Sequence, residues 1–454
     1  MSKQIIINSF SGRIDLLALH ESKSDTYPYY LESSAVETVQ GSESFDILFA
    51  YPQQLLEKKT DEQVYLNNKL VEKTDFLQKF DSLWVNEKNQ YSESGLPFLG
   101  GWFVYLGYEL VNEIEPGLSL TNFDNALPIA FASRVPVALM YSHKDDVTFL
   151  VCEKEFEKYS ANVEQDIHDL TEQPDKYQDT HIVNEELADR YTDSIQKILQ
   201  YIKDGDVFQV NLSRAWNSKA NNQLNASEIY RKLRTTNPAP FSALVKHGRA
   251  SIVSSSPERL VRVKNNKVET RPIAGTRPRG KSSSDDQKLR EELLNNYKER
   301  AEHIMLIDLE RNDLGRISQP GTINVDELMT IETYAHVHHI VSNISGKLKE
   351  NTKPGEVLRA VFPGGTITGC PKVRCMEIIN ELEQAPRSAY TGSLGYVNQN
   401  GDMDFNILIR TLIVNGDEIQ FRAGAGIVAD SIPENELKET RAKAKGMLLA
   451  VSSG

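Results

Sequence analysis

The chain has 454 residues, of which 39% are hydrophobic and 25% are charged, and its formal net charge at pH 7 is −13. This length allows two or three domains, or one large intertwined fold with a sizeable core. The acidic balance, without a basic stripe interleaved with aromatic residues, argues against nucleic acid as a partner. It also means that an anionic ligand must be held by a few local cations or by a metal ion.

Three cysteines, Cys152, Cys370 and Cys375, do not make an even disulfide framework, which favours a reducing compartment. The first fifteen residues lack the long apolar core and the cleavage site of a signal peptide. No segment approaches the roughly 20 apolar residues that a membrane span needs. The sequence therefore predicts a soluble, cytoplasmic protein without a membrane partner.

Residues 1–153 alternate short apolar runs with turn residues, and this pattern predicts an N-terminal region made mostly of strands. Strands are expected at residues 45–51, 100–108 and 135–141, and a helix near residues 70–85. The acidic segment 154–183 is predicted to be a helix followed by a surface linker.

Residues 184–454 form the second predicted region, in which apolar stripes at helical spacing are bounded by capping residues. Helices are expected from Asn184 to Gly205, from Ser284 past Ile304, from Pro371 onward, and from Ser431 to Val451. Ser284 and Gln287 have the spacing of a capping box. A strand is expected at 207–212. The mixture of strands and helices predicts an α+β fold.

Two of these helices carry carboxylates at a spacing that places them on one face. Glu299 and Glu302 are three residues apart, and Glu436 and Glu439 repeat this spacing on the last helix, followed by Lys443. Carboxylates from two such helices, brought together, would form an oxygen-ligand site for Mg²⁺. Two solvated acidic helix faces would explain the same spacing.

Three glycine-containing segments, 271–280, 362–369 and 422–427, are predicted loops where the backbone can approach a ligand closely. Ordinary turns would have the same composition. None of the three matches GxGxxG or a P-loop, so the sequence gives little support for a nucleotide site.

Several segments together resemble one family, the chorismate-binding enzymes. They are SSSPERL (254–260), PIAGTRPRG (272–280), AEHIMLIDLERNDLGR (301–316), VHHIVS (337–342), FPGGTITGCPKVRCMEII (362–379), AYTGSLGY (389–396), ILIRTLIV (407–414) and AGAGIVADS (423–431). This family includes anthranilate synthase component I, aminodeoxychorismate synthase component I, and the isochorismate and salicylate synthases. The resemblance is dense from residue 187 onward. It implies two orthogonally packed antiparallel β-sheets flanked by helices, with the active site at their junction.

The resemblance also implies roles for individual residues. Glu302 and Glu439 are expected to bind Mg²⁺, and Glu299 and Glu436 to support metal-bound waters. Glu258 is expected to be the general acid that protonates the departing 4-hydroxyl, which requires burial to raise its pKa. Ala274 and Thr276 complete the expected catalytic segment. The residues expected to bind the substrate are Gln209, His339, Thr366, Tyr390, Arg410, Gly424, Gly426 and Lys443; a buried core histidine is an equal alternative for His339.

Two positions bear on the reaction. Isochorismate and salicylate synthases use a lysine to activate water where this chain has Gln209, so an amine nucleophile is expected. The segment 237–243 (NPAPFSA) and the QVNL and FPGGTITG motifs favour 4-amino-4-deoxychorismate as the product. Ala274, where many aminodeoxychorismate synthases have a nucleophilic lysine, is shared with anthranilate synthases. Anthranilate as the product, and a non-catalytic chorismate-binding homologue, therefore stay open.

Two further ligands follow from the resemblance. The chain contains no Cys–His glutaminase signature, so ammonia is expected from a separate glutamine amidotransferase subunit. Leu31, Glu32 and Ser33 resemble the LLES segment that helps to bind tryptophan in relatives. A strand edge followed by a turn is the simpler interpretation of that segment.

Overall fold

The computed structural model describes residues 4–34, 44–91, 94–118, 120, 126–170, 182–280, 282–333 and 337–452. These residues form eleven α-helices and twenty-four strands. The helices are α1 (Leu16–Ser22), α2 (Phe76–Glu87), α3 (Val111–Ile114), α4 (Lys158–His168), α5 (Ala188–Lys203), α6 (Ala226–Thr236), α7 (Ser283–Asn295), α8 (Tyr297–Ile317), α9 (Pro354–Val361), α10 (Lys372–Glu383) and α11 (Pro433–Val451).

The strands contain most of the β-branched and aromatic segments. They are β1 (Ile5–Ser11), β2 (Tyr29–Glu32), β3 (Phe45–Ala50), β4 (Gln54–Lys58), β5 (Val64–Leu66), β6 (Lys69–Val71), β7 (Gly101–Leu106), β8 (Ala130–Val135), β9 (Val137–Ser142), β10 (Val147–Glu153), β11 (Val183–Glu185), β12 (Gln209–Lys219), β13 (Phe241–His247), β14 (Ala250–Ser256), β15 (Arg259–Lys264), β16 (Lys267–Thr270), β17 (Ile273–Pro278), β18 (Asn324–Thr333), β19 (Val337–Lys347), β20 (Gly369–Cys370), β21 (Ser393–Asn398), β22 (Met403–Asn406), β23 (Thr411–Asn415) and β24 (Glu418–Ile427).

The strands make two antiparallel sheets of twelve strands each. The first has the order β1-β10-β9-β3-β2-β13-β14-β23-β24-β12-β11, with β20 beside β12. The second has the order β17-β19-β16-β15-β22-β21-β7-β8-β4-β5-β6, with β18 beside β19. This arrangement, flanked by helices, confirms the predicted α+β class with two antiparallel sheets.

Strands from both ends of the chain share each sheet. In the first sheet β2 pairs with β13, with Leu31 opposite Ala243. In the second sheet β7 pairs with β21, with Leu106 opposite Ser393. The predicted division at residues 153 and 183 remains a prediction, and the two regions it separates are interleaved in space.

The inner faces of the two sheets share a core of aromatic side chains. Tyr29 of β2 stacks on Phe103 of β7 with 4.2 Å between ring centroids, and Phe49 of β3 meets the same Phe103 at 5.5 Å. Two larger apolar clusters join the outer face of each sheet to its helices. Stacked sheets buried on both faces explain why every residue of β7, β8 and β9 is buried.

Two helix boundaries differ from the sequence prediction. Asn184 does not cap α5, because residues 183–185 pair with β12 as strand β11, and the helix begins at Ala188. The long helix expected from Ser284 is two helices. Ser282 caps α7, and Asn296 ends it with extended backbone while its own side chain caps α8. The pairing of residues 183–185 with β12 sets the start of α5, and the second cap at Asn296 divides the long helix in two.

The described part of the chain shows two further properties. All three cysteines are free thiols. None of the helices in the described ranges combines the length and apolar character needed to cross a bilayer.

Candidate active site

The candidate site lies where the chain passes between the two sheets. Glu258 occupies the link between β14 of the first sheet and β15 of the second, and Arg410 lies between β22 of the second sheet and β23 of the first. Arg410 has a φ of 53°, in the left-handed region that is uncommon for a residue with a side chain. The junction therefore places an acid and a cation close enough for their charges to interact.

Strands β12 and β24 form one wall of the site. Gln209 lies at the start of β12, and Asn211 is paired with Gly426 of β24. A Cβ atom on Gly426 would lie 2.4 Å from Nε2 of Gln209, and one on Gly424 would lie 2.8 Å from the Tyr390 hydroxyl. Glycine at both positions therefore lets the side chains of Gln209 and Tyr390 lie across the strand.

The predicted metal ligands lie on two helices next to this wall. Nε2 of Gln209 donates a hydrogen bond to Oε1 of Glu302 on α8 at 2.9 Å. On α11, Nζ of Lys443 contacts Glu439 at 2.8 Å and donates to the carbonyl of Gly424 at 3.0 Å. Strands β12 and β24 thus contact both helices. That the carboxylates of the two helices hold one Mg²⁺ ion remains a prediction.

Glu258 is the acidic group at the centre of the site. It is 5% exposed, and burial raises its pKa to about 7, although the nearby Thr366 hydroxyl acts in the opposite direction. Neither Oε1 of Glu258 nor Oγ1 of Thr366 has a hydrogen-bond partner in the described part of the protein. A buried carboxyl with such a pKa can hold a proton near neutral pH and release it to a ligand.

Positive charge and a neutral imidazole complete the surroundings of Glu258. Burial lowers the pKa of His339 to about 4, and the charges of Arg410 and Lys443 lower it further. His339 is therefore neutral at pH 7. Arg410 also donates to Oδ1 of Asn237 at 3.3 Å. The site thus holds two cations, an imidazole without charge, and a protonatable acid.

The other predicted catalytic residues lie on β17. Ala274 is 6% exposed and pairs with Ile340 of β19. Thr276 pairs through its backbone with His339, while its side chain lies outside the described part of the structure. Gly275 lies between them at a φ of 64°, where the pairing is irregular.

Glu299 and Glu436 lie one turn before the predicted metal ligands but have different surroundings. Glu299 contacts Nη1 of Arg277 on β17 at 3.1 Å. Glu436 lies near Tyr191: burial raises the pKa of that phenol, and the charges of Glu436 and Glu439 raise it further. Their predicted role beside metal-bound waters remains a prediction.

The donor set of this site fits Mg²⁺. Among the residues that the structure describes, no three His, Cys, Asp or Glu side chains cluster closely enough to hold a metal ion alone. Mg²⁺ usually keeps several waters and takes one or two carboxylates, which Glu302 and Glu439 can supply. The buried Oε1 of Gln209, which has no partner in the described residues, is a further oxygen beside Glu302.

Sequence reasoning missed three groups at this site. Asn211, within the QVNL motif, donates to the carbonyl of Thr366 at 3.3 Å, and its Oδ1 has no partner in the described residues. Glu383 binds the buried Arg387 at 2.6 Å, and Arg387 in turn lies 5.5 Å from the ring of Tyr390. Glu310 is a third, since it lies buried on α8. Asn211 and Glu310 lie within the quoted motifs and Glu383 follows one of them. No local pattern shows that Glu310 and Glu383 are buried or that Asn211 contacts Thr366.

The predicted tryptophan residues line a separate cavity of about 720 Å³ between the sheets. Leu31, Glu32 and Ser33 contribute to its wall with Phe241 and Tyr396. The Glu32 carboxylate is itself engaged, because the Tyr230 hydroxyl donates to it at 2.6 Å. These residues are thus near one another, but they are not part of the site around Glu258.

Comparison with known proteins connects this geometry to one family. Residues 27–449 match the family described as chorismate binding enzyme. The chain is 43% identical over 359 residues to the "Anthranilate synthase component I-like protein" of Synechocystis sp., covering 78% of this chain and 73% of that protein. It is 40% identical over 399 residues to the "Aminodeoxychorismate synthase component 1" of Bacillus subtilis, covering 84% and 83%.

A solved structure extends the similarity to the fold. The anthranilate synthase component I of Streptococcus pneumoniae TIGR4 superposes with a TM-score of 0.80 at 31% identity, covering 90% of this chain and 93% of that one. The family match spans both sheets and every predicted site residue. The chain therefore belongs to the chorismate binding enzyme family, as a chorismate-using enzyme of the anthranilate and aminodeoxychorismate synthase type.

Proposed function

We propose that this enzyme aminates chorismate with ammonia to give 4-amino-4-deoxychorismate, the precursor of 4-aminobenzoate for folate synthesis. The observation that carries the proposal is the buried Glu258, whose carboxyl holds a proton near neutral pH and whose Oε1 has no partner in the described residues. The motifs NPAPFSA and QVNL favour this product, and so does the similarity to the Bacillus subtilis protein.

The proposed step uses Glu258 first as an acid. Its proton passes to the 4-hydroxyl, the C4–O bond breaks, and the oxygen leaves as water. The lone pair of ammonia forms the new C–N bond, and the resulting ammonium group returns one proton to the Glu258 carboxylate. The reaction consumes chorismate and ammonia and yields the amine and water, with the acid regenerated.

The cations of the site bind the substrate. Chorismate carries two carboxylates, and Arg410 and Lys443 offer local positive charge that offsets the net negative charge of the protein. Tyr390, Thr366 and the backbone at Gly424 and Gly426 shape the ring pocket. Because His339 is neutral at pH 7, it can accept or donate a hydrogen bond there without adding charge.

Glu302 and Glu439 would hold Mg²⁺, with Glu299 and Glu436 beside its waters. The ion, when bound, neutralises one substrate carboxylate and orients the ring. The donor chemistry of these carboxylates and of Gln209 supports the assignment.

Two residues limit which group can act as the nucleophile that attacks the ring. Gln209 has no basic group with which to activate water, which supports an amine nucleophile. Ala274 cannot attack the ring, so ammonia is proposed to add directly. We propose that a separate glutamine amidotransferase subunit supplies this ammonia in the cytoplasm, because the sequence has no glutaminase signature of its own.

The second candidate function is that of anthranilate synthase component I, which makes anthranilate and pyruvate. Ala274 and the similarity to the Streptococcus pneumoniae enzyme favour it. Both candidates use the same acid, cations and metal, so the position of amination and the fate of the side chain distinguish them.

One assay tests the proposal. Purified protein is incubated with chorismate, Mg²⁺ and ammonium, and products are separated by chromatography with and without added aminodeoxychorismate lyase. We expect 4-aminobenzoate only with the lyase, and no product from Glu258→Gln. Anthranilate fluorescence without the lyase would establish the second candidate, and the absence of any product would favour a non-catalytic homologue.

A further inference from the structure

Glu310 is a buried carboxyl that the proposed reaction does not use. It lies on α8 two turns after Glu302 and is 5% exposed. Oγ1 of Thr270 donates to its Oε2 at 2.8 Å, and the backbone N–H of Gly365 stabilises its charge. No Lys or Arg within the described ranges forms an ion pair with it at contact distance. Burial dominates and raises its pKa to about 7.

The contact with Gly365 connects Glu310 to the site. A Cβ atom on Gly365 would lie 2.4 Å from Cδ2 of Leu309 and 3.3 Å from Oε1 of Glu310, so this turn packs directly on α8. The next residue is Thr366, whose hydroxyl acts on Glu258. The side-chain amide of Asn211 on β12 donates a hydrogen bond to the backbone carbonyl of Thr366 at 3.3 Å. Glu310 and Asn211 thus fix the two sides of the turn that presents Thr366 to the acid.

Electrostatic repulsion also links Glu310 to Glu258. Glu258 is faced by Glu310, Lys443, the Thr366 hydroxyl and the N–H of Ile273, and its charge also interacts with Arg410. Glu310 is faced by Asp313 and Lys372 in addition to its own hydrogen-bond donors. Two buried carboxyls that repel each other do not ionise independently, and ionisation of one opposes ionisation of the other.

We propose that Glu310 is a positioning residue for the amination: it holds the Gly365–Thr366 turn against Glu258 and, through like charge, keeps the Glu258 carboxyl protonated. This inference rests on the proposed role of Glu258 as the general acid. A purely structural role, anchoring the turn to α8, would require the same hydrogen bonds but not the charge. The two roles are separated by a variant that keeps the shape and removes the charge.

Glu310→Gln is that variant, because an amide can still meet Thr270 and Gly365. Without the like charge the pKa of Glu258 falls, so the acid loses its proton at a lower pH. We expect the alkaline limb of the kcat/KM profile for chorismate, at constant free ammonia, to move down by about one pH unit. Thr270→Val should move it in the same direction by less. Losing that donor disfavours charge on Glu310 and so weakens the repulsion.

Asp81 offers a matched control. It is also a buried carboxyl, with a pKa raised to about 7 by burial and a backbone glycine donor, Gly355 N–H, at 2.7 Å, but it lies on α2 rather than beside Glu258. Asp81→Asn should leave the pH profile unchanged. An unshifted profile in Glu310→Gln, or an equal shift in Asp81→Asn, would overturn the proposal.

A second readout does not depend on activity. Difference infrared titration follows the protonated-carboxyl band that disappears in Glu258→Gln, and in Glu310→Gln this band should titrate at a lower pH than in the wild type. A band that titrates at the wild-type pH overturns the proposal even if activity changes. If Glu258→Gln retains full activity, the proposed acid is wrong, and the infrared titration still decides whether Glu310 controls the protonation of Glu258.

Discussion

At the scale of single residues, environment decides what each carboxylate of the site can do. Glu439 is half-exposed and paired with Lys443, an environment that suits a ligand of a hydrated cation. Glu258 is buried without a salt bridge in the described residues, and its pKa rises to about 7. Identical side-chain chemistry therefore yields a candidate metal ligand in one position and a candidate acid in the other.

Glu302→Gln tests the metal assignment. The amide keeps the size of the side chain but removes the charge, and losing a charged ligand costs several kcal/mol of charge stabilisation. We expect turnover to fall about 100-fold or more, with thermal unfolding unchanged. A magnesium titration of activity measures this. Asp308→Asn on the exposed side of α8, where Asp308 contacts Arg311 at 3.0 Å, is the control and should behave as wild type. Normal turnover by Glu302→Gln would remove this residue from the site.

Ala274→Lys tests direct addition of ammonia. Wild-type protein incubated with chorismate and Mg²⁺ but without ammonia should keep its intact mass, because alanine offers no nucleophile. The lysine variant should gain an adduct of about chorismate minus water. Intact-mass spectrometry measures both. An adduct on the wild-type protein would identify another nucleophile and end the direct-addition mechanism.

At the scale of elements, α8 shows how one helix serves several purposes. Glu299 contacts Arg277 of β17, and Glu302 receives a hydrogen bond from Gln209 of β12. Glu310 lies inside, against the turn that follows α9. These carboxylates have different partners because α8 packs on β17 and β19 of the second sheet and also meets Gln209 of β12 in the first. The candidate metal ligand Glu302, the buried Glu310 and the contact with β17 therefore all lie on one helix.

Gly426→Ala tests the wall formed by β12 and β24. The new methyl group would lie 2.4 Å from Nε2 of Gln209, so the Gln209 side chain must move away from Glu302. We expect kcat/KM to fall about 10- to 100-fold and the free energy of unfolding to fall by about 1–3 kcal/mol.

The control for this change is Gly315→Ala on α8. Its methyl group would meet only Cδ1 of Ile323 at 3.7 Å, and alanine should stabilise the helix by about 0.5–1 kcal/mol. Steady-state kinetics and chemical denaturation measure both variants. Equal kcat/KM values for Gly426→Ala and wild type would mean that the position of the Gln209 side chain does not affect catalysis.

At the scale of the whole molecule, strands of both sheets line a cavity apart from Glu258, which we propose binds L-tryptophan. Its volume of about 720 Å³ lies within the range of ligand pockets. The aromatic rings of Phe241 and Tyr396 line it together with Leu31 and Ser33. Because its walls come from both sheets, a ligand there would stabilise their packing.

Isothermal titration calorimetry tests this proposal. L-tryptophan should bind with heat that L-alanine does not produce. Ser33→Leu, which fills part of the cavity, should weaken binding about 10-fold or more. Ser284→Leu on the exposed face of α7 is the control and should bind as wild type does. No heat with tryptophan, or equal affinity for both variants, would show that the cavity serves another purpose.

The sequence by itself determined the fold class, most helices, and the residue types of the site. Glycines at 424 and 426, carboxylates at 302 and 439, and alanine at 274 are local facts that a family resemblance can interpret. Strand and helix periodicity is local as well, which is why α2, α10 and α11 were predicted close to their observed positions. The predicted N-terminus of α5 is wrong, because residues 183–185 pair with the distant strand β12 instead of starting the helix.

Only the tertiary structure decided how these residues meet and what their surroundings are. The pairing of β2 with β13 and of β7 with β21 joins segments far apart in sequence, so no local pattern specifies it. The raised pKa values of Glu258 and Glu310 come from burial, which arises only after both sheets and α8 have packed. For the same reason Glu310 could not be distinguished from the surface carboxylates of its own helix until its position against Thr270 and Gly365 was known.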